Sequence, residues 1–209
     1  RIMRHPYMFL NRRARRLERK IGRTVAAGAA GGVAGAAAAS ASTKKADNKK
    51  SADFIITPPL FVLNPANENL LRIMYIGAPL AKDRETLFFT SVRAVPSTTK
   101  REEGNTLKIA TQSVIKLFWR PKGLAYPLGE APAKLRCTSS ADMVTVSNPT
   151  PYFITLTDLK IGGKVVKNQM ISPFDKYQFS LPKGAKNSSV TYRTINDYGA
   201  ETPQLNCKS

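Results

Sequence analysis

Lys116 sits inside an apolar run, Val114-Ile115-Lys116-Leu117-Phe118-Trp119, which Arg120-Pro121 brings to a stop. A charge in such a run is costly unless an anion meets it, or unless its long stem carries the ammonium out to water. Anion binding is therefore the chemistry this stretch offers. The other reactive side chains exclude more than they permit. The sole histidine is His5, so neither a histidine-based catalytic triad nor a histidine metal cluster can be assembled. Cys137 and Cys207 are too few for a zinc site. Two cysteines far apart in sequence are compatible with one disulfide in an oxidising compartment, and equally with two reduced thiols in a core. Glu102, Glu103 and Asp158 supply carboxylates. No nucleophile elbow, phosphate-cradling glycine motif or metal-ligand spacing accompanies them, so an enzyme is the weakest reading and no cofactor is called for.

The elements that must position Lys116 are strands. From Asp53 onward the sequence falls into short apolar or alternating runs: FIITPPLFVL, NLLRIMYIG, TLFFTSVRAV, LKIATQSVIKLFW, MVTVS, YFITLTDLKI, KYQFSLP and VTYRTIND. Their lengths and β-branched or aromatic content favour strands, and Pro, Gly and Asn recur between them. In NPTPYFITLTDLKIGGKVV, Phe153, Thr155 and Thr157 alternate against Ile154, Leu156 and Asp158. Gly162-Gly163 then supplies the positive-φ turn of a hairpin. Many short strands without interleaved helical periodicity predict an all-β chain of two β-sandwiches. The stretch RPKGLAYPLGEAPAK is rich in Pro, Gly and Ala and reads as the interdomain linker.

Residues 1–50 have a different texture. Of the net charge of +19, these residues carry +11, from 13 Lys/Arg against Glu18 and Asp47. An arginine-rich run is followed by an Ala/Gly-rich stretch in which Ala39–Ala41 imitates a small-residue cleavage site. The apolar part is Ala and Gly rather than Leu, a poor export signal, and 22–41 lacks the hydrophobicity to span a bilayer. A basic surface helix over Arg12–Arg23 is an unforced alternative. The competing functional reading belongs to this leader: a basic-tailed β-sandwich protein binding nucleic acid or anionic membrane through residues 1–45, with a steep salt dependence. No aromatic-interleaved basic surface accompanies the charge, so nucleic acid is not expected as a partner.

The runs FIITPPLFVL, ENLLRI, PLAKDRETLFF, VRAVPS, NTLKIA, IKLFWRPKGL, NPTPYF and TYRTINDYGA, taken in order from Phe54 to about Pro203, resemble the periplasmic pilus-assembly chaperones of the chaperone–usher pathway. The short spacer between VPS and NTLKIA is similar to the subfamily that builds thicker, rod-like pili. The resemblance implies two immunoglobulin-like β-sandwich domains in an L shape. Residues 46–122 would form the N-terminal domain, 123–133 the linker and 134–209 the C-terminal domain. The family begins with about fifty residues of strand sequence, for which the 1–45 leader is no match. The first domain is therefore expected to be incomplete or to carry an aberrant N-terminal segment, its first strands replaced by foreign sequence.

In this family a chaperone lays an edge strand into a pilus subunit that lacks one, a recognition mode already described for it. The resemblance makes residues before Lys116 that strand, with Leu107, Ile109 and Thr111 filling the subunit's pockets. Thr111 is smaller than the residue usual there. Lys116 matches the lysine that binds the subunit's terminal carboxylate. Glu85, Arg120 and Asp197 match an interdomain salt-bridge group, and Cys137 and Cys207 remain the disulfide candidates. The family's carboxylate-binding arginine has no counterpart in the leader, and Arg12, Arg13, Arg15 and Arg16 carry no such motif. The implied partners are pilus subunits and the outer-membrane usher, with self-association when no subunit is bound, and the implied compartment is the periplasm.

Overall fold

A computed structural model describes residues 8–9, 37–45, 52–64, 68–95, 109–185 and 188–208. The chain divides into two compact units. The amino-terminal unit comprises Leu10–Pro79 and Leu87–Phe118, and the carboxy-terminal unit comprises Arg1–Phe9, Leu80–Thr86 and Trp119–Ser209. The chain thus passes between the units at residues 9–10, 79–80, 86–87 and 118–119. The readings of Leu107, Glu102, Glu103 and His5, and of a surface helix over Arg12–Arg23, lie outside the described residues.

After a two-residue strand β1 (Met8–Phe9), the described elements are β2 (Ala37–Lys45), β3 (Phe54–Thr57), β4 (Leu60–Leu63), β5 (Arg72–Tyr75), β6 (Thr86–Val95) and β7 (Thr111–Trp119). Strands β7, β6, β2 and β4 follow one another in one sheet, while β3 and β5 form a second. Aromatic side chains hold these two layers together. The Phe54 ring meets Phe88 edge-on at 4.7 Å and Tyr75 at 5.0 Å. The alternation in β3 does what its period requires: Phe54 and Ile56 face the core while Ile55 and Thr57 face out.

Strand β2 corrects the expectation that residues 1–45 stand apart from the domain. Its residues pair antiparallel with β6 from Ala38↔Val95 to Lys45↔Phe88, and with β4 from Ala37↔Leu63 to Ser40↔Leu60. The physical reason is that a sheet is closed by backbone groups. The sequence AAASASTKK carries no strand-like side-chain pattern, yet every residue of it has the N–H and C=O that β6 and β4 require.

The carboxy-terminal unit contains a 3-10 helix η1 (Leu128–Lys134), followed by β8 (Arg136–Ser140), β9 (Met143–Ser147), β10 (Ile154–Ile161), β11 (Lys164–Val165), β12 (Gln169–Ile171), β13 (Lys176–Ser180), β14 (Val190–Thr194) and β15 (Leu205–Asn206). One sheet runs β11-β10-β14-β15, with β12 also paired to β10, and the other runs β13-β9-β8. Val146 of β9, Leu156 of β10, Phe179 of β13 and Tyr192 of β14 all enter one hydrophobic cluster, which makes the unit a β-sandwich. The β10–β11 hairpin closes at Ile161↔Lys164 over Gly162 and Gly163, whose φ values are 55° and 78°. The simple alternation along β10 ends at a bulge between Thr157 and Lys160, where Asp158 adopts φ 44°. Leu156 and Leu159, three apart, are consequently both buried.

The Pro/Gly/Ala-rich stretch read as linker is only partly a connector. Within it, Ala131 of η1 is fully buried, and the Pro132 carbonyl accepts a hydrogen bond from the Tyr192 hydroxyl at 2.7 Å. Burial pushes that phenol up to about 12. Composition signals loop there because η1 is short and proline-containing, whereas its packing depends on Tyr192, sixty residues away.

Candidate functional site

The β-branched and aromatic residues of β7, Thr111, Val114, Ile115, Phe118 and Trp119, suit a pleated strand. Ile109, just before the strand, is 64% exposed, Thr111 and Ile115 are half-buried, and Leu117 is completely buried. Lys116 is half-buried beside Leu117. Gln112 secures the strand to β6: its amide donates to Ser91 Oγ at 2.8 Å, and Arg93 Nη2 donates to its Oε1 at 3.3 Å. Ile109 is therefore a large apolar side chain that this chain's own core does not use.

Glu85, Arg120 and Asp197 meet within the carboxy-terminal unit. Arg120 Nε donates to Glu85 Oε1 at 2.6 Å, and its two terminal nitrogens donate to Asp197 at 2.6 and 2.9 Å. The second oxygen of Glu85 accepts the Phe153 backbone N–H at 2.8 Å, and the Glu85 N–H donates to the Pro151 carbonyl at 2.9 Å. Glu85 immediately precedes β6 and Arg120 immediately follows β7. The group is thus built at two of the points where the chain crosses between units.

Burial is the largest influence on Glu85 and raises its carboxyl above the ordinary value of 4.5, against the downward pull of Arg120 and of the Phe153 N–H. Burial also opposes the Arg120 charge, but hydrogen bonds and attraction from Asp197 and Glu85 outweigh it, and the guanidinium is raised above its ordinary value.

Cys137 and Cys207 form a disulfide with Cα atoms 5.8 Å apart, joining β8 to the residue after β15. The adjacent backbone supports it, with Cys137 N–H donating to Lys208 C=O at 2.7 Å. Among the described residues, no three or more His, Cys, Asp or Glu side chains gather in a way that would hold a metal ion, and no helix is long and apolar enough to cross a membrane.

The reading of individual residues did not find the parts played by Gln112, Ser91, Tyr152 and the Phe153 N–H. NPTPYF was visible as a motif, but its backbone contact to Glu85 joins residues 68 apart and leaves no local signature.

Each unit carries two β-sheets, and together they define the class of two-domain β-sandwich proteins. Residues 34–125 match the model of the pili and flagellar-assembly chaperone PapD N-terminal domain, and residues 130–205 match the pili assembly chaperone PapD C-terminal domain. The chain belongs to this family of pilus-assembly chaperones. It is 99% identical over 163 residues to a probable fimbrial chaperone protein, ElfD, of Escherichia coli strain K12, covering 78% of this chain and 70% of that protein. Its fold is similar to the crystal structure of the periplasmic chaperone SfaE, with a TM-score of 0.70 and 38% identity over 84% of this chain and 85% of that one. It is also similar to a Salmonella enterica structure of the SafA pilin in complex with the SafB chaperone, with a TM-score of 0.75 and 26% identity over 84% of each chain.

Proposed function

We propose that this chain is a periplasmic chaperone that binds fimbrial subunits by donor-strand complementation, keeps them from aggregating and delivers them to the outer-membrane usher. A subunit lacking a strand exposes apolar surface together with unpaired backbone N–H and C=O groups. The segment leading into β7 supplies both remedies. Its backbone completes the subunit's sheet, and Leu107, Ile109 and Thr111 fill alternate pockets along it. Lys116, a fixed distance further along the same strand, grips the carboxylate that ends the subunit and so sets the register. Glu85, Arg120 and Asp197 orient the two domains by fixing where β6 begins and β7 ends. Without a subunit, two copies cover their edge strands by pairing with each other.

The observation that carries this reading is the 64% exposure of Ile109 just before β7, a strand in which Leu117 is fully buried. Burying an isoleucine against a partner contributes about 1.5–3 kcal/mol, or about ten- to hundredfold in affinity. Co-expression with a fimbrial subunit tests the proposal. Ile109→Asp and Lys116→Asp are each expected to abolish co-purification of the subunit while leaving the chaperone's melting temperature within a few degrees of wild type. A Lys116→Asp chain that still holds subunit at wild-type levels would overturn it.

A further inference from the structure

Beneath Arg120 lies the turn Asn148-Pro149-Thr150-Pro151-Tyr152-Phe153, which joins β9 to β10. Asn148 is buried and fully engaged. Its amide donates to the carbonyls of Tyr152 at 2.7 Å, Ser172 at 2.9 Å and Ile171 at 3.3 Å, while its oxygen accepts from Thr150 N–H at 3.1 Å and Thr150 Oγ1 at 2.7 Å. A turn organised around one buried amide cannot relax without leaving polar groups unpaired, so its shape is set before any partner arrives. Its outward features are the Pro151 carbonyl and Phe153 N–H that hold Glu85, and between them the Tyr152 ring. Tyr152 is 4% exposed, and its hydroxyl donates to the Tyr126 carbonyl. The guanidinium carbon of Arg120 lies over the ring, 5.4 Å from its centroid.

The bonds from Arg120 to Glu85 and Asp197 use its N–H groups, which all point within the guanidinium plane. They resist sliding in that plane and do little against tilting out of it. An aromatic face beneath a cation supplies restraint in that direction and adds attraction of its own.

We infer that Tyr152 is a positioning residue for subunit binding: its ring, held by the Asn148-centred turn and the Tyr126 carbonyl, fixes the plane of the Arg120 guanidinium and thereby the end of the strand that carries Lys116. The use made of the strand rests on the chaperone reading; the control of Arg120 by Tyr152 does not.

The experiment follows hydrogen exchange at Arg120 Nε–H by NMR in the full chain, alongside binding of the purified fimbrial subunit. Tyr152→Leu removes the ring, and exchange at Nε–H is expected to accelerate about tenfold or more in a chain that still melts cooperatively. Subunit binding is expected to weaken about tenfold, in keeping with the loss of a desolvated cation–aromatic contact. Tyr152→Phe keeps the ring and gives up only its bond to the Tyr126 carbonyl, so both readouts are expected to fall between those of wild type and Tyr152→Leu. In an Arg120→Ala background, Tyr152→Leu is expected to cost no further binding, because the two residues act as one unit. Thr150→Val, which loosens the turn and spares the ring, provides a second route if Tyr152→Leu does not fold, and it too is expected to accelerate exchange.

Unchanged exchange in a folded Tyr152→Leu chain overturns the inference, as does unchanged exchange in Thr150→Val when only that variant folds. Binding losses that simply add in the double variant also overturn it. A wild-type chain that binds no subunit overturns the chaperone reading and the use of the strand, while an exchange rate that still responds to Tyr152→Leu upholds the control of Arg120.

Discussion

Arg120 brings a guanidinium, two carboxylates, a backbone N–H and an aromatic face together in a space that is largely closed to water. Removing one member of such a group costs more than the missing bond, because the charge left behind stays buried. Arg120→Ala is therefore expected to lower the stability of the carboxy-terminal unit by about 3–5 kcal/mol, measured by urea unfolding. Glu85 has a characteristic pH signature. Its carboxyl is raised above 4.5 chiefly by burial, so the folded chain binds that proton more tightly than the unfolded chain does. The stability it contributes is full below 4.5 and is lost as pH rises through the raised folded value. With Glu85→Gln as reference, the wild-type advantage is expected to shrink as pH is increased from about 4 to about 7. An advantage that grows over that interval would mean that pairing with Arg120 prevails over burial.

Among the elements, β2 and β7 show how differently strands earn their places. β7 was legible because β-branched and aromatic residues announce a strand, and Lys116 stood out against them. β2 was not, because Ala, Ser and Lys announce nothing, and its place was decided by the open hydrogen-bonding edges of β6 and β4. Ala39 has register partners on both sides, Phe61 in β4 and Ala94 in β6. A proline there removes a donor and disturbs both neighbours. Ala39→Pro is expected to destabilise the amino-terminal unit by about 3 kcal/mol or more, while thermal unfolding of the carboxy-terminal unit stays unchanged. If both transitions stay in place, β2 contributes no stability to the sheet.

For the molecule as a whole, the two units draw on different resources. The amino-terminal unit depends on the contact of Phe54 with Phe88 and on backbone pairing along β6. The carboxy-terminal unit has a buried hydrophobic cluster and a covalent tie between residues 70 apart in sequence. Closing a loop of that size in the unfolded chain is worth about 2–5 kcal/mol. Replacing Cys137 and Cys207 with serine is expected to lower the unfolding midpoint of the carboxy-terminal unit and to leave the amino-terminal one where it was. Calorimetry with and without reductant provides the same comparison in the wild-type chain.

By itself the sequence determined the all-β class, the hairpin at Gly162-Gly163 and the family, since strand periods and turn residues are local properties and the motifs that mark the family occur in order. Every one of the eight apolar runs contains a strand. Tertiary structure alone decided that Cys137 and Cys207 are joined, that β2 lies between β6 and β4, that η1 packs under Tyr192, and that Arg120 rests on Tyr152 while binding carboxylates 35 residues before it and 77 after. The reason is one of range. A side chain's preference for a strand or a turn depends on its own backbone and near neighbours, whereas a buried charge or a bare backbone edge is satisfied by whichever distant group the fold brings within about 3 Å.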